Sequence, residues 1–184
     1  MFRRPTFPEI YEVKKKILVQ RSPGPDPKAC YDDFQLHFTE SSVGFLLWHS
    51  LAGVRNRSIK IQTRYRDETP RRLDLPQREE LEKISRRFTL KFLLGVMNST
   101  AARDFLRANR RSNIHLYPND WKKLPIPDVS LELQAPLVEL VDCILTAKTA
   151  DPDADITEQE VEIDRLVYTL YGLTQDEIAA VENV

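Results

Sequence analysis

Phe88-Thr89-Leu90-Lys91-Phe92-Leu93-Leu94-Gly95-Val96-Met97-Asn98-Ser99, running on through a basic polar stretch to Trp121-Lys122-Lys123-Leu124-Pro125-Ile126-Pro127, decides how this chain folds. Leu90, Leu93, Leu94, Met97, Ala101 and Phe105 recur at the spacing that keeps one helix face in a core. Such a face needs cover from the rest of the chain. Asn98-Ser99 interrupts the helix, and Ser99 is placed to cap a second segment from Thr100 to about Arg107, so a kink is expected there. Directly afterwards come Arg107, Arg110, Arg111, Asn113, His115 and Tyr117. A core would not tolerate that charge, and a polyanion surface would welcome it.

Outward from the helix, the N-terminal side carries strand signals. Ile17-Leu18-Val19-Gln20-Arg21 is a short β-branched run, and Ser22 to Pro27, with three prolines and a glycine, is a loop. Gln35-Leu36-His37-Phe38-Thr39 alternates like a half-buried strand, and Val43 to Trp48 is expected to pair beside it, although a short buried helix fits those residues too. Arg57 to Arg66 alternates again, until Pro70-Arg71-Arg72 breaks it. Gln77 to Arg87 reads as a helix with Leu81 and Ile84 on its apolar edge and Glu79 facing Lys83 as an i,i+4 pair.

On the C-terminal side the pattern is helical. Leu133, Leu137, Leu140, Val141, Ile144 and Leu145 mark a helix over Leu131 to Lys148, and Asp151 to Asp155 is an acidic turn. Thr157 with Glu160 reads as a capping box for a helix that runs to Tyr171 and closes at Gly172, and Thr174 with Glu177 starts another. Trp121, Tyr168 and Tyr171 read as core packing.

At 184 residues and 41% hydrophobic, the chain can bury one sizeable core. Its net charge of -1 conceals an asymmetry. Residues 1–127 hold 25 Lys and Arg against 14 Asp and Glu, and residues 128–184 hold 2 against 14, leaving +11 and -12. One region seeks polyanions and the other repels them. No apolar run is long enough for a signal peptide or a membrane span, and Cys30 and Cys143 form no Cys-x-x-Cys pair, so a reduced, cytoplasmic chain is the natural reading.

Enzyme chemistry is hard to find. The five glycines make no Gly-x-Gly turn for a nucleotide cofactor, and no Asn-Pro-Pro-Tyr-like tetrapeptide is present to grip a flipped adenine. His37, His49 and His115 share no ligand spacing. Pro25-Asp26 with Asp120-Trp121-Lys122 could be assembled into a metal-dependent nuclease site, but the signal is weak.

Three blocks carry a family resemblance: Lys91 to Ser99, Leu124-Pro125-Ile126-Pro127, and Glu162 to Thr174. In that order they resemble the TaqI-like C-terminal specificity domain, the target-recognition part of DNA methyltransferases in restriction-modification systems. The likeness runs from about Pro5 to Glu182. It implies double-stranded DNA as partner, and a methyltransferase catalytic domain, in the same or another chain, that uses S-adenosylmethionine to methylate adenine. That domain normally comes first, so a chain starting this close to the first block reads as an excised or split piece, with no catalytic residue or cofactor of its own.

The expected fold is α+β: a small curved β-sheet packed on the central helix, with C-terminal helices completing the core. Residues 1–127 would be the basic DNA target-recognition region and 128–184 an acidic helical region packed on it as one unit. The candidate DNA-binding residues are Arg21, Arg55, Arg57, Lys60, Arg64, Arg66, Arg107, Arg110, Arg111, Asn113, His115, Lys122 and Lys123. Arg110, Arg111 and Asn113 have the groups to read base edges, whereas Arg64, Arg66, Lys122 and Lys123 look like phosphate contacts. Two rivals remain. The arginines from Arg55 to Arg72 could simply solvate an exposed hairpin, and the acidic helices from Leu131 onward could make the chain a protein-interaction module.

Overall fold

A computed structural model describes residues 7–24, 27–67 and 73–183. A single helical turn α1 (Glu9–Glu12) leads into strands β1 (Lys16–Gln20), β2 (Ala29–Asp32) and β3 (Ser42–Phe45). After a 3-10 turn (Trp48–Leu51) come α2 (Arg57–Lys60), α3 (Arg78–Ser85), α4 (Leu90–Asn98), α5 (Thr100–Asn109) and α6 (Pro118–Trp121). The C-terminal region is α7 (Leu131–Ala150), α8 (Thr157–Tyr171) and α9 (Gln175–Glu182). The class is α+β, as the sequence predicts.

The sheet is antiparallel with β1 in the middle, in the order β2-β1-β3. Ile17 and Val19 point from the central strand into the core, and their neighbour Lys16 is equally buried. Its burial is matched by a partner: Lys16 lies opposite Asp32 in the register and meets its carboxylate at 3.0 Å. The same carboxylate accepts the N–H groups of Phe34 and Leu36. Asp32 thus ends β2 and corrects the strand expected over Gln35–Thr39. The segment bends at Gln35, in the left-handed region at φ 57°, and leaves Leu36 exposed.

The second correction concerns residues 57–66. Asn56 Oδ1 accepts the N–H of Ile59, which starts the helical turn α2 where alternation suggested a strand. Ile59, Thr63 and Tyr65 are buried while Ile61 is exposed, and pairing shrinks to one bridge between Arg64 and Gln77. These residues form a small lobe around Arg78. Its guanidinium is 1% exposed, lies 4.5 Å from the Trp48 ring, donates to the Trp48 and Leu51 carbonyls and pairs with Glu82. The ion pair found on α3 is therefore Arg78–Glu82, and Ile84 faces solvent.

Helix α4 is the centre of the main core. Thr89 caps it, Ser99 ends it and caps α5, and the predicted break falls where expected. Leu90, Phe92, Leu94, Val96 and Met97 are all buried, so the helix is covered on more than one face. On one side the Asn98 amide accepts from Ala29 N–H at 2.8 Å and donates to Ala29 C=O at 2.9 Å, completing the outer edge of β2. On the other side Gly95 admits α7: a Cβ there would stand 3.0 Å from Leu137.

The acidic helices close the core. Gln134, fully buried, donates to the Arg87 and Val129 carbonyls and accepts from Thr89 N–H, fixing the start of α7 to the start of α4. Leu137 and Val141 face inward as expected, but Leu131 and Leu133 are exposed, because Gln134 takes the inward position in the first turn. Asp164 anchors α8 by accepting from the N–H and hydroxyl of Thr100. A further correction concerns the cap of α8. Asp155, rather than Thr157, accepts from Thr157 N–H and Oγ, and those bonds hold its carboxyl below the usual range. Gly172 closes α8 at φ 66°, and Thr174 with Glu177 forms the box that opens α9.

Replacing Asn98 by Ala strips both partners from the Ala29 backbone at the sheet edge. The loss expected is about 1–3 kcal/mol, the cost of polar groups left unpaired, read as a lower urea midpoint at unchanged slope. A second test is alkaline. Burial pushes Tyr168 and Tyr171 up to about 12, and Tyr171 Oη donates to the Pro125 carbonyl. Their neutral forms favour the fold, so this contribution is complete below the ordinary phenol range and lost as pH rises towards 12. Phenolate absorbance should show these two ionising late, together with loss of the helical circular-dichroism signal; ionisation of all tyrosines at the ordinary pH would contradict the packing.

Candidate nucleic-acid interface

The loop after α5 is built from local hydrogen bonds and one long-range tie. Arg110 N–H closes the helix on Leu106 C=O, and Ser112 Oγ then accepts from the N–H groups of both Ile114 and His115 at 3.2 Å. Leu116 is 1% exposed, and its N–H donates to Arg21 C=O at 2.8 Å. That bond joins the loop to the end of β1. His115 Nδ1 and Ser22 Oγ, 2.7 Å apart, add a second tie between the same segments.

Tyr117 gathers the charged side chains. The guanidinium groups of Arg21 and Arg111 each lie 5.2 Å from its ring centroid, and the His115 ring meets it edge-on at 6.1 Å. Asp120, 1% exposed, holds the arrangement from beneath: one carboxylate oxygen accepts Tyr117 N–H at 2.9 Å and the other accepts Arg111 Nε at 3.2 Å. Beyond it Lys122 and Lys123 are exposed, and Lys123 Nζ reaches back to Asn109 C=O at 3.4 Å. Arg107, Arg110 and Arg111 also suit their position at the C-terminal end of α5, where the helix dipole is negative.

Of the expected residues, Arg21, Arg111 and His115 therefore meet at Tyr117, while Arg107, Arg110, Asn113, Lys122 and Lys123 lie near it in the chain, at the end of α5, in the loop and just after α6. The other five, Arg55, Arg57, Lys60, Arg64 and Arg66, belong to the lobe around Arg78. Arg55 stacks on Tyr65 at 4.3 Å and pairs with Asp67, whose carboxyl that hydrogen bond holds below its usual range. Arg64 donates from Nε to Leu75 C=O and pairs through its backbone with Pro76 and Arg78, which makes it a strut of the lobe. Arg57, Lys60 and Arg66 are exposed.

Ser22, Ser112, Tyr117 and Asp120 are not among the candidate DNA-binding residues, although Tyr117 ends the polar stretch read from the sequence and Asp120 figures in the nuclease reading. Asp120 was legible as an acid three residues into a Tyr-Pro turn, the position that reaches back to the entering N–H. Ser22 left no signal, since its partner is 93 residues away. For the nuclease reading, Pro25-Asp26 lies outside the described residues, and Asp120 is spent on Tyr117 and Arg111. Among the described residues, three ion pairs link the basic and acidic regions, through Lys28 to Glu160, Arg87 to Asp128 and Lys91 to Asp142. Their cations lie outside the loop surface.

Comparison with known proteins returns no match: no family model, no curated protein and no solved structure is similar to this chain. Among the described residues, no helix is long and apolar enough to cross a membrane.

If Asp120 is what holds Arg111 and Tyr117 in register, Asp120→Asn should loosen the loop. The amide keeps one of the two acceptor atoms and turns the other into an NH2 donor that cannot accept. Hydrogen exchange at the Ile114, His115 and Tyr117 amides is expected to speed up while the α4 amides stay protected. Unchanged exchange at Tyr117 would show that the carboxylate is not the tether.

Proposed function

We propose that this chain is a sequence-specific double-stranded DNA target-recognition domain that serves an adenine-N6 methyltransferase of the restriction-modification type. The observation that carries the DNA-binding part is the cationic surface around Tyr117. Arg21 from the sheet and Arg111 from the loop flank one ring, with Lys122 and Lys123 close by in the chain and the nearby acid buried. Such a surface offers charges for phosphates and, at Arg110, Arg111 and Asn113, hydrogen-bonding groups for base edges. The methyltransferase part rests on the sequence resemblance described above.

S-adenosylmethionine belongs, in this reading, to a catalytic domain outside the sequence. The glycines here do not suit it: Gly24, Gly53 and Gly172 sit in turns, Gly44 in β3 and Gly95 in α4 against Leu137, so none forms the strand-to-helix turn that cradles a nucleotide. A second reading, a protein-interaction module, is favoured by the exposure of Leu131, Leu133 and Val161 on the acidic helices.

Titration of the chain into labelled duplex DNA separates the two. Binding is expected, falling steeply as salt rises because phosphate contacts release counterions. Lys122→Ala should weaken it for every sequence and lower the salt slope by about 1, whereas Asn113→Ala should cost about 1–3 kcal/mol on a preferred site and much less elsewhere. Absence of binding at low salt favours the interaction module.

A further inference from the structure

Ile114 stands at the tip of the loop between Asn113 and His115 with 69% of its surface exposed. The fold has no use for it there. Leu116, two residues on, fills the apolar position beneath the loop, and Ser112 Oγ fixes the backbone N–H of Ile114 itself. A scattered exposed aliphatic side chain is ordinary on a protein surface. This one is held on an ordered turn, beside groups suited to base edges and a few residues from Arg110 and Arg111. A ligand that takes those cations is polyanionic, and its backbone offers an isoleucine nothing apolar.

Duplex DNA has one exposed apolar group in the groove wide enough to admit a protein loop: the C5-methyl of thymine. We infer that Ile114 reads a thymine methyl in the major groove, so that the loop combines an apolar contact with the polar ones of Arg110, Arg111 and Asn113. The inference rests on the DNA-binding reading and adds a base preference to it. Hydrogen-bonding side chains alone confuse few base pairs in this groove, but a methyl contact distinguishes thymine from cytosine at the same strand position and costs no hydrogen-bond geometry. Removing both partners from water is favourable in proportion to the apolar area covered.

The test removes the methyl from the DNA. A preferred duplex is first selected by the intact chain from a pool with a randomised centre, and each thymine in it is then replaced singly by deoxyuridine, which pairs identically but lacks the C5-methyl. At one position the replacement should weaken wild-type binding about fourfold, the factor that burial of one methyl group carries. Ile114→Ala should bind the thymine duplex as weakly as wild type binds the deoxyuridine one, and should be indifferent to the replacement. Ile114→Val, which keeps a branched methyl, should still discriminate, and Ile61→Ala, at an equally exposed isoleucine on the other lobe, should behave as wild type. Because Ile114 is at the surface, its truncation leaves the core intact.

Equal penalties for wild type and Ile114→Ala at every thymine would overturn the inference. So would a loss of affinity in Ile114→Ala that is the same on all duplexes and untouched by deoxyuridine, since that is the behaviour of a wedge between base steps. If no duplex is retained from the pool at all, the DNA-binding reading falls and this inference with it. A duplex selected with a strong preference but silent to every methyl removal leaves DNA recognition standing and removes only the role of Ile114.

Discussion

Two hydrogen bonds from one side chain, Asn98 to the N–H and C=O of Ala29, tie the helical and sheet parts of this protein together. A three-stranded sheet has two open edges, and an unpaired edge is a liability unless something covers it. At Ala29 the amide of Asn98 covers the edge of β2. It does so from the last residue of α4, so the geometry of the helix end and the position of the sheet are set by one contact. Ser99 then turns the chain at once into α5, which delivers the polar loop to the end of β1. The candidate interface is therefore a consequence of where α4 stops.

The opposite charge of the two regions does not divide the molecule. Helix α7 from the acidic region packs along α4 through Leu137 and Val141, close enough over Gly95 that a Cβ there would press on Leu137, and Gln134 is buried against the α3–α4 junction. The apolar contacts bind the regions, and the three ion pairs between them are partly exposed, where such pairs add little. The cations consumed in those pairs are Lys28, Arg87 and Lys91. Charge balance within the fold accounts for them, and the cations around Tyr117 are arranged on a different principle, stacked on an aromatic ring and steered by a buried carboxylate.

What could be read from the sequence follows how local each cause is. The Ser99 break, the Gly172 stop and the Thr174 box each depend on residues within a turn or two, and the chain adopts them as expected, whereas the helix face read from Leu90 to Phe105 shifts in the fold, with Phe92, Val96, Ala102 and Leu106 buried and Leu93, Ala101 and Phe105 half-buried. The strands failed where a single capping residue outweighed alternation. Asp32 takes the N–H groups of Phe34 and Leu36 and so turns the chain where a strand over Gln35–Thr39 would have begun, and Asn56 starts a helical turn inside an apparently alternating segment. Of the candidate site, the loop cations were visible as a cluster, but the separation of Arg55 to Arg66 onto another lobe depends on Arg78. A buried arginine joining segments 30 residues apart has no signature in the sequence.

Asp120 bears most directly on how such a loop could discriminate. A carboxylate buried beneath a basic surface lowers its net charge and so weakens any purely electrostatic attraction to a polyanion. In return it fixes Arg111 through Nε and the backbone through Tyr117 N–H, before any ligand arrives. Side chains ordered in advance lose less freedom on binding, and the saving applies only to a partner whose groups match the preset geometry. Under the proposed DNA-binding role, the arrangement would give up nonspecific affinity for selectivity. It also narrows what Arg111 can do: with Nε committed to Asp120, the side-on edge of the guanidinium is taken, and the end-on fork of its two terminal nitrogens is the face left for a partner.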